Sequence, residues 1–379
     1  MGLGNREMPD RYSFGIEEEY FLVDVQTKSV ARTMHEGFLK AAKEATGGRV
    51  TGEFLQSQIE VQTPPYVDMA SAREDLRQLR QTVANVAAEH GLAILAAGTH
   101  PTANWNRSRQ SEGERYDTVM DDLQMIGQRN MLCGLHVHVE LPNANERVDV
   151  MTRMLPYLPL FVALATSSPF WQSRQTGLMG YRLAAYDELP RTGVPELFRT
   201  QEEFDGYIEA LVKAGVVENS SYIWWAIRPS LKHPTLELRA PDCCTRVEDT
   251  IALAALWRTL ARRLYRNPWI NWDLNAVSRA IVVENKWRAQ RYGIHGTFVN
   301  IDGDGATSVA EMLDQLIDEI APDAESLGCL AEVKHCRTIV DAGTSADAQL
   351  AVFKDKEGSA PPDVALRAVT DWIAQATLQ

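Results

Sequence analysis

The sequence predicts an α+β fold, an antiparallel sheet that carries helices on one face only. Two observations predict it. Several short segments alternate apolar and polar residues with a period of two, as strands do when one face is buried and the other is not. These runs mix with helical runs instead of alternating strictly with them, as βαβ units would.

The first strand, 13–24, reads SFGIEEEYFLVD. Phe14, Ile16, Tyr20 and Leu22 share one face with Glu18, while Gly15, Glu17, Glu19 and Phe21 share the other. Glu17 and Glu19 repel each other unless a cation or a proton lies between them. Glu18 is either paired with a cation from a covering helix or exposed at the sheet edge. Left unpaired in the core it would be costly, and Glu18→Gln would then stabilise the chain.

A helix at 36–46 leads to a strand at 54–62, where Gln56, Gln58, Glu60 and Gln62 oppose Leu55, Ile59 and Val61. Helix 68–90 has Asp68 as its N-cap and closes at Gly91. Strand 92–98 and helix 115–129 precede strand 132–141, in which His136, His138 and Glu140 oppose Leu135, Val137, Val139 and Leu141. Helices at 144–165 and 201–214 follow. After strand 222–228, strand 235–240 sets Thr235, Glu237 and Arg239 against Leu236, Leu238 and Ala240. Helices at 246–265, 273–291, 306–320 and 362–377 complete the order. With no internal repeat and no long linker, residues 1–379 read as a single domain, the stretch from about 300 to 379 being a helical extension of it.

A formal charge of −13 argues against nucleic acid and anionic membrane as partners, since both reward a basic surface. No segment approaches the roughly 20 apolar residues of a membrane span. The opening MGLGNREMPD has no hydrophobic signal region, and Arg6 stands where myristoylation wants Ser or Thr. Five cysteines, with no CxxC pair, suit a reducing cytoplasm. Small-molecule partners are expected, with homo-oligomerisation left open.

The polar faces of these strands would form one concavity lined by Glu17, Glu19, Glu60, His136 and Glu237. Four carboxylates and a histidine cannot stay ionised together without compensation, so two or three divalent ions are implied. Oxygen-rich ligands favour Mg²⁺ or Mn²⁺ over zinc. Glu53, seven residues before Glu60, would face the other way on a regular strand and joins only through a bulge or from the preceding turn. Taken singly, an HxH or an ELR more often marks packing or a surface ion pair. The joint pattern on several strands is what argues for a site.

GIEEEY, EFLQSQIEVQTP, GTHP, GLHVHVEL, ELRAPD and ENKWRAQRYG together resemble the carboxylate–amine ligases of the glutamate–cysteine ligase type 2 family over roughly residues 12 to 375. The resemblance implies a glutamine synthetase-like fold, a curved antiparallel sheet with helices behind its apolar face. It implies Mg²⁺ ligands at Glu17, Glu19, Glu53, Glu60, His136 and Glu237. It also implies that Arg228 and Arg239 meet nucleotide phosphates or an acyl phosphate, with His138 beside them at the nucleotide. The implied reaction joins a carboxylic acid to an amine at the expense of ATP, with glutamate–cysteine ligation as a weak activity.

No GxxxxGK[ST] loop occurs, which fits a fold that holds phosphates through metals. The segment IDGDGATSVAEM is not an EF-hand, because Ala306 and Leu313 cannot ligate calcium. Two rivals remain on sequence grounds, a metal-dependent hydrolase and a non-catalytic nucleotide-binding regulator. Neither needs arginines and metals aimed at the same phosphate to drive turnover.

Overall fold

The computed structural model describes residues 11–34, 37–358 and 360–379. The readings made on residues 1–10 and the first residue of the expected helix 36–46 lie outside the described residues; the helix itself runs Phe38–Ala45.

The strands are β1 (Phe14–Asp24), β2 (Val50–Gly52), β3 (Gln58–Gln62), β4 (Leu92–Leu95), β5 (Leu135–Glu140), β6 (Phe170–Trp171), β7 (Arg174–Gln175), β8 (Ile227–Pro229), β9 (Thr235–Leu238), β10 (Thr297–Val299) and β11 (Ala306–Ser308). Seven of them form one sheet in the order β2–β3–β1–β5–β9–β8, with β4 paired to the end of β1. Every pairing in it is antiparallel. The long β1 is the keel, holding β3 on one side and β5 followed by β4 on the other.

Alternation decides which face is buried. Phe14, Ile16, Tyr20, Leu22, Ile59, Val61, Val137 and Leu236 are all at most 1% exposed. Behind them lies helix Val247–Arg266, whose small and branched residues from Ile251 to Leu256 are wholly buried. Helix Met69–Glu89 runs beside it and begins, as the sequence predicts, with the Asp68 carboxylate accepting from the N–H groups of Ala70 and Ser71. Gly91 ends it at φ +69°, a conformation open to glycine. The C-terminal helices Val309–Ser326 and Leu330–Ala342 pack on helix Val247–Arg266. Helix Pro362–Ala376 packs on β4.

Glu18 sits on this apolar face and is fully buried. The guanidinium of Arg80, from helix Met69–Glu89, grips it with two bonds of 2.9 and 2.6 Å. The Thr250 hydroxyl donates at 2.6 Å, and the Tyr20 hydroxyl donates as well. Arg80 spends its other donors on the carbonyls of Thr245, Thr377 and Cys244. The pair therefore ties the sheet to both covering helices and to the C-terminal segment.

Several boundaries differ from the sequence reading, each for a local reason. The strand expected at 54–62 starts at Gln58, because residues 53–57 turn back and the Gln58 N–H donates to Leu55. The strand expected at 222–228 is a 3₁₀ turn at Ser220–Tyr222 before β8. Helix 144–165 is two helices, Arg147–Met154 and Leu158–Leu164, since Pro156 and Pro159 each remove a backbone donor. Helix 115–129 breaks at Gln124, whose φ is +49°. Residues 306–308 pair as β11 before helix Val309–Ser326. The short strands β2, β6, β7 and β10 leave too little alternation to read.

Candidate active site

The register of the sheet lines up the polar side chains in rows, because directly opposed residues share a face. Glu19 stands opposite Glu60. Glu17 lies between Gln62 and His136. Gly15, His138, Glu237 and Arg228 form a third row. Glu53 follows β2 in the turn before β3, and its N–H donates to Gln58 at 3.2 Å. The turn brings it to the polar face without a bulge.

Three sets of donor atoms result, each with its atoms within 4.8 Å of one another. They are Glu17, His138 and Glu237; Glu17, Glu60 and His136; and Glu19, Glu53 and Glu60. Glu17 is common to the first two and Glu60 to the last two, so the sets form a continuous line. All six residues expected as metal ligands fall in it. His138 does too, although sequence reasoning gave it to the nucleotide.

The electrostatics are those of a site that wants cations. Burial, then the charges of Glu17, Glu53 and Glu19, hold the Glu60 carboxyl well above its usual range. Burial and the adjacent Glu19 push Glu53 up to about 8. Burial also opposes the ionised form of Glu17, but the imidazole rings of His136 and His138 beside it outweigh burial and hold Glu17 far below the usual carboxylate value. Both ring nitrogens of His136 are buried with no hydrogen-bond partner, 3.4 Å from Glu17 and 3.8 Å from Glu19. His138 is fixed by Thr235 through Nδ1 at 2.9 Å, which leaves Nε2 facing Glu17 at 3.5 Å. A ring held at one nitrogen and unpaired at the other is arranged as a metal ligand is. Orphaned imidazole nitrogens beside crowded carboxylates fit divalent cations, and the five carboxylates among the donors favour oxygen-seeking ones.

The arginines divide by what they touch. Arg228 grips Glu237 at 2.7 and 3.2 Å and donates to the carbonyls of Ser221 and Ile223, so its donors are largely engaged in holding Glu237. Arg239 also meets Glu237 and reaches the Tyr186 hydroxyl at 3.4 Å, while its Nε lacks a partner. Despite burial, these two guanidinium groups and His138 hold Glu237 well below the normal carboxylate range.

A cavity of about 190 Å³ opens on the set Glu19, Glu53 and Glu60, with Arg239, Tyr186 and Trp224 on its walls. A second, of about 270 Å³, opens past Glu17 and His138 over the bare backbone of Gly15, with His233 at its rim.

Sequence reasoning missed Arg182. It lies on the short helix Tyr181–Tyr186, is 2% exposed, and lines the first cavity. One of its nitrogens donates to the carbonyl of Pro241 at 3.1 Å, and its Nε has no partner. Gly134 makes room for it, since a Cβ there would fall 2.1 Å from the guanidinium. The Gly134 N–H in turn donates to Glu19 at 2.5 Å. The only signal in the sequence was a cation in the otherwise apolar run YRLAAY.

The fold, an antiparallel sheet with a line of carboxylates on one face, is a glutamine synthetase-like one. It matches a glutamate–cysteine ligase from Francisella tularensis in complex with AMP, with a TM-score of 0.70 at 14% identity over 97% of this chain and 89% of that one. It also matches a bifunctional glutathione synthetase from Pasteurella multocida, with a TM-score of 0.69 at 15% identity over 96% of this chain and 52% of that one. The model of glutamate–cysteine ligase family 2 matches residues 13–365. A relative from Bradyrhizobium sp. (strain ORS 278) that carries the provisional name glutamate–cysteine ligase 2 is 54% identical over 375 residues, 99% of this chain and 90% of its own length. The chain belongs to glutamate–cysteine ligase family 2 and is, with it, an ATP-dependent carboxylate–amine ligase.

Proposed function

We propose that this ligase works by acyl phosphate formation over a line of divalent cations, Mg²⁺ or Mn²⁺, held by Glu17, Glu19, Glu53, Glu60, His136, His138 and Glu237. One observation carries the reading: three donor sets in a row, sharing Glu17 and Glu60, stand between two cavities. When bound, the cations supply neutralising charge for the β- and γ-phosphates and for the group in transfer.

The chain's own residues do the rest. The second cavity, with Gly15 as its floor, suits the nucleotide. The first, with Arg239 and Arg182, suits the acid and the amine. A carboxylate oxygen of the acid attacks the γ-phosphorus and ADP leaves. The amine nitrogen then attacks the acyl carbon, phosphate departs, and the nitrogen loses a proton to solvent. Arg239 faces the charge that develops on the transferred group. Arg228 acts through Glu237, fixing its orientation. No side-chain nucleophile is needed. All five cysteines are free and buried, a usage that suits a reducing cytoplasm. Glutamate with cysteine would be a weak substrate pair. Residues 1–379 would act as one ligase unit, the C-terminal helices included.

Label transfer tests the reaction path. An acid labelled with ¹⁸O in its carboxylate should pass one labelled oxygen to inorganic phosphate per turnover. Release of ¹⁸O-labelled AMP with unlabelled pyrophosphate would replace the acyl phosphate by an adenylate.

A further inference from the structure

An amine can attack an acyl phosphate only through a free lone pair, yet at neutral pH an amino group is mostly ammonium. Something in the first cavity has to take that proton. Among the described residues lining it, Glu19, Glu53, Glu60 and His136 belong to the donor sets of the metal line. Arg182, Arg228 and Arg239 accept no hydrogen bond. Tyr116 donates its hydroxyl to the Gly52 carbonyl at 3.1 Å. Gln58, Asn130 and Ser221 are too weakly basic. That leaves Tyr186.

The surroundings of Tyr186 suit the task. It ends the short helix Tyr181–Tyr186, half-buried, and lines the cavity. Its phenol oxygen accepts from Arg239 Nη2 at 3.4 Å. The Arg182 guanidinium lies over its ring, 5.6 Å from the centroid. Nη1 of Arg182 is tied to the carbonyls of Arg239, Ala240 and Pro241 at 3.1–3.4 Å, so this cation is held in place. A phenolate here has one cation at its oxygen and a second over its ring. On the same cavity, Oδ1 of Asn130 is buried with no partner, an acceptor for another N–H of the incoming nitrogen.

We propose that Tyr186 is the general base of the amide-forming step. Its phenolate oxygen takes a proton from the ammonium, and the freed lone pair attacks the acyl carbon. The bond from that carbon to the phosphate oxygen breaks, and its electron pair leaves with phosphate. The nitrogen loses its second proton to solvent, and the phenol then returns its own proton to solvent. This inference rests on the ligase reading, with the amine in the first cavity.

The test compares nucleophiles that differ in charge. Hydroxylamine is largely uncharged at neutral pH and attacks without first losing a proton. L-2-Aminobutyrate, which has no thiol, and methylamine are ammonium ions there. The full chain is supplied at pH 7 with ATP, Mg²⁺, L-glutamate or acetate as the acid, and each nucleophile in turn. ADP release above the rate without nucleophile gives kcat/KM for the nucleophile. Tyr186→Phe should lower it about a hundredfold for the ammonium nucleophiles and no more than about threefold for hydroxylamine. The ratio of the two does not depend on how much of the variant is folded, and a phenol that merely held Arg239 or the helix in place would lower both alike. A ratio unchanged from wild type overturns the proposal alone, as does a wild type that uses hydroxylamine but neither ammonium nucleophile. No ADP release with any nucleophile overturns the ligase reading and the proposal with it.

Discussion

Replacing Glu18 by Gln removes one charge from a pair that no water reaches. In the native chain Arg80 is 1% exposed and Glu18 wholly buried, and the carboxylate takes four donors from Arg80, Thr250 and Tyr20. A Gln keeps the shape but presents an NH₂ where one oxygen accepted, so a donor now faces donors. The Arg80 charge stays behind, solvated only by the carbonyls of Thr245, Thr377 and Cys244. Removing one partner of a buried pair typically costs about 3–5 kcal/mol, a large part of the roughly 5–15 kcal/mol that a folded protein has. Urea unfolding at pH 7 should therefore show Glu18→Gln about 3 kcal/mol less stable than wild type, with the metal dependence of the folded fraction intact. A variant within about 1 kcal/mol of wild type, or more stable, would refute the pairing. The sequence left open an unpaired Glu18, for which the sign would have been opposite.

Three further outcomes follow from the site and its surroundings. Glu17→Gln should reduce Mn²⁺ binding more than Glu19→Gln, because Glu17 serves two donor sets and Glu19 one; equal and normal Mn²⁺ stoichiometry in both variants would contradict the metal line. Arg239→Lys should lower turnover about a hundredfold, on the order of 3 kcal/mol, while nucleotide affinity changes little, since lysine lacks the planar fork; a twofold change would make Arg239 structural. Burial depresses His100 to about 3 from 6.5, so the unfolded chain binds a proton that the native chain does not. That contribution is whole above pH 6.5 and is lost as pH falls toward 3, at roughly 1.4 kcal/mol per pH unit. Wild type should lose about 2 kcal/mol more than His100→Asn between pH 7 and pH 5, as read by urea unfolding.

How far the sequence reveals the site depends on what places each residue. Glu17, Glu19, Glu60, His136 and Glu237 lie on strands, and period-two alternation alone puts them on one face. Glu53 is set by a three-residue strand and a turn, too short for any pattern, so on the residues alone its side was open. The part His138 plays depends on Thr235 across the register, a contact between β5 and β9 that local alternation does not encode. Arg182 and its carbonyl partner at Pro241 meet only through the tertiary fold. The same holds for Glu18 and Arg80, 62 residues apart. Periodicity reports faces, and what lies across a face is settled by packing.

The most direct test of the central claim is ADP release by the purified chain with each reactant omitted in turn. ADP should form when ATP, Mg²⁺ or Mn²⁺, a carboxylic acid and an amine or hydroxylamine are all present, and should fall to background when any one is left out. Turnover of the acid or of an amide substrate without nucleotide would contradict the account and leave a metal-dependent hydrolase in its place.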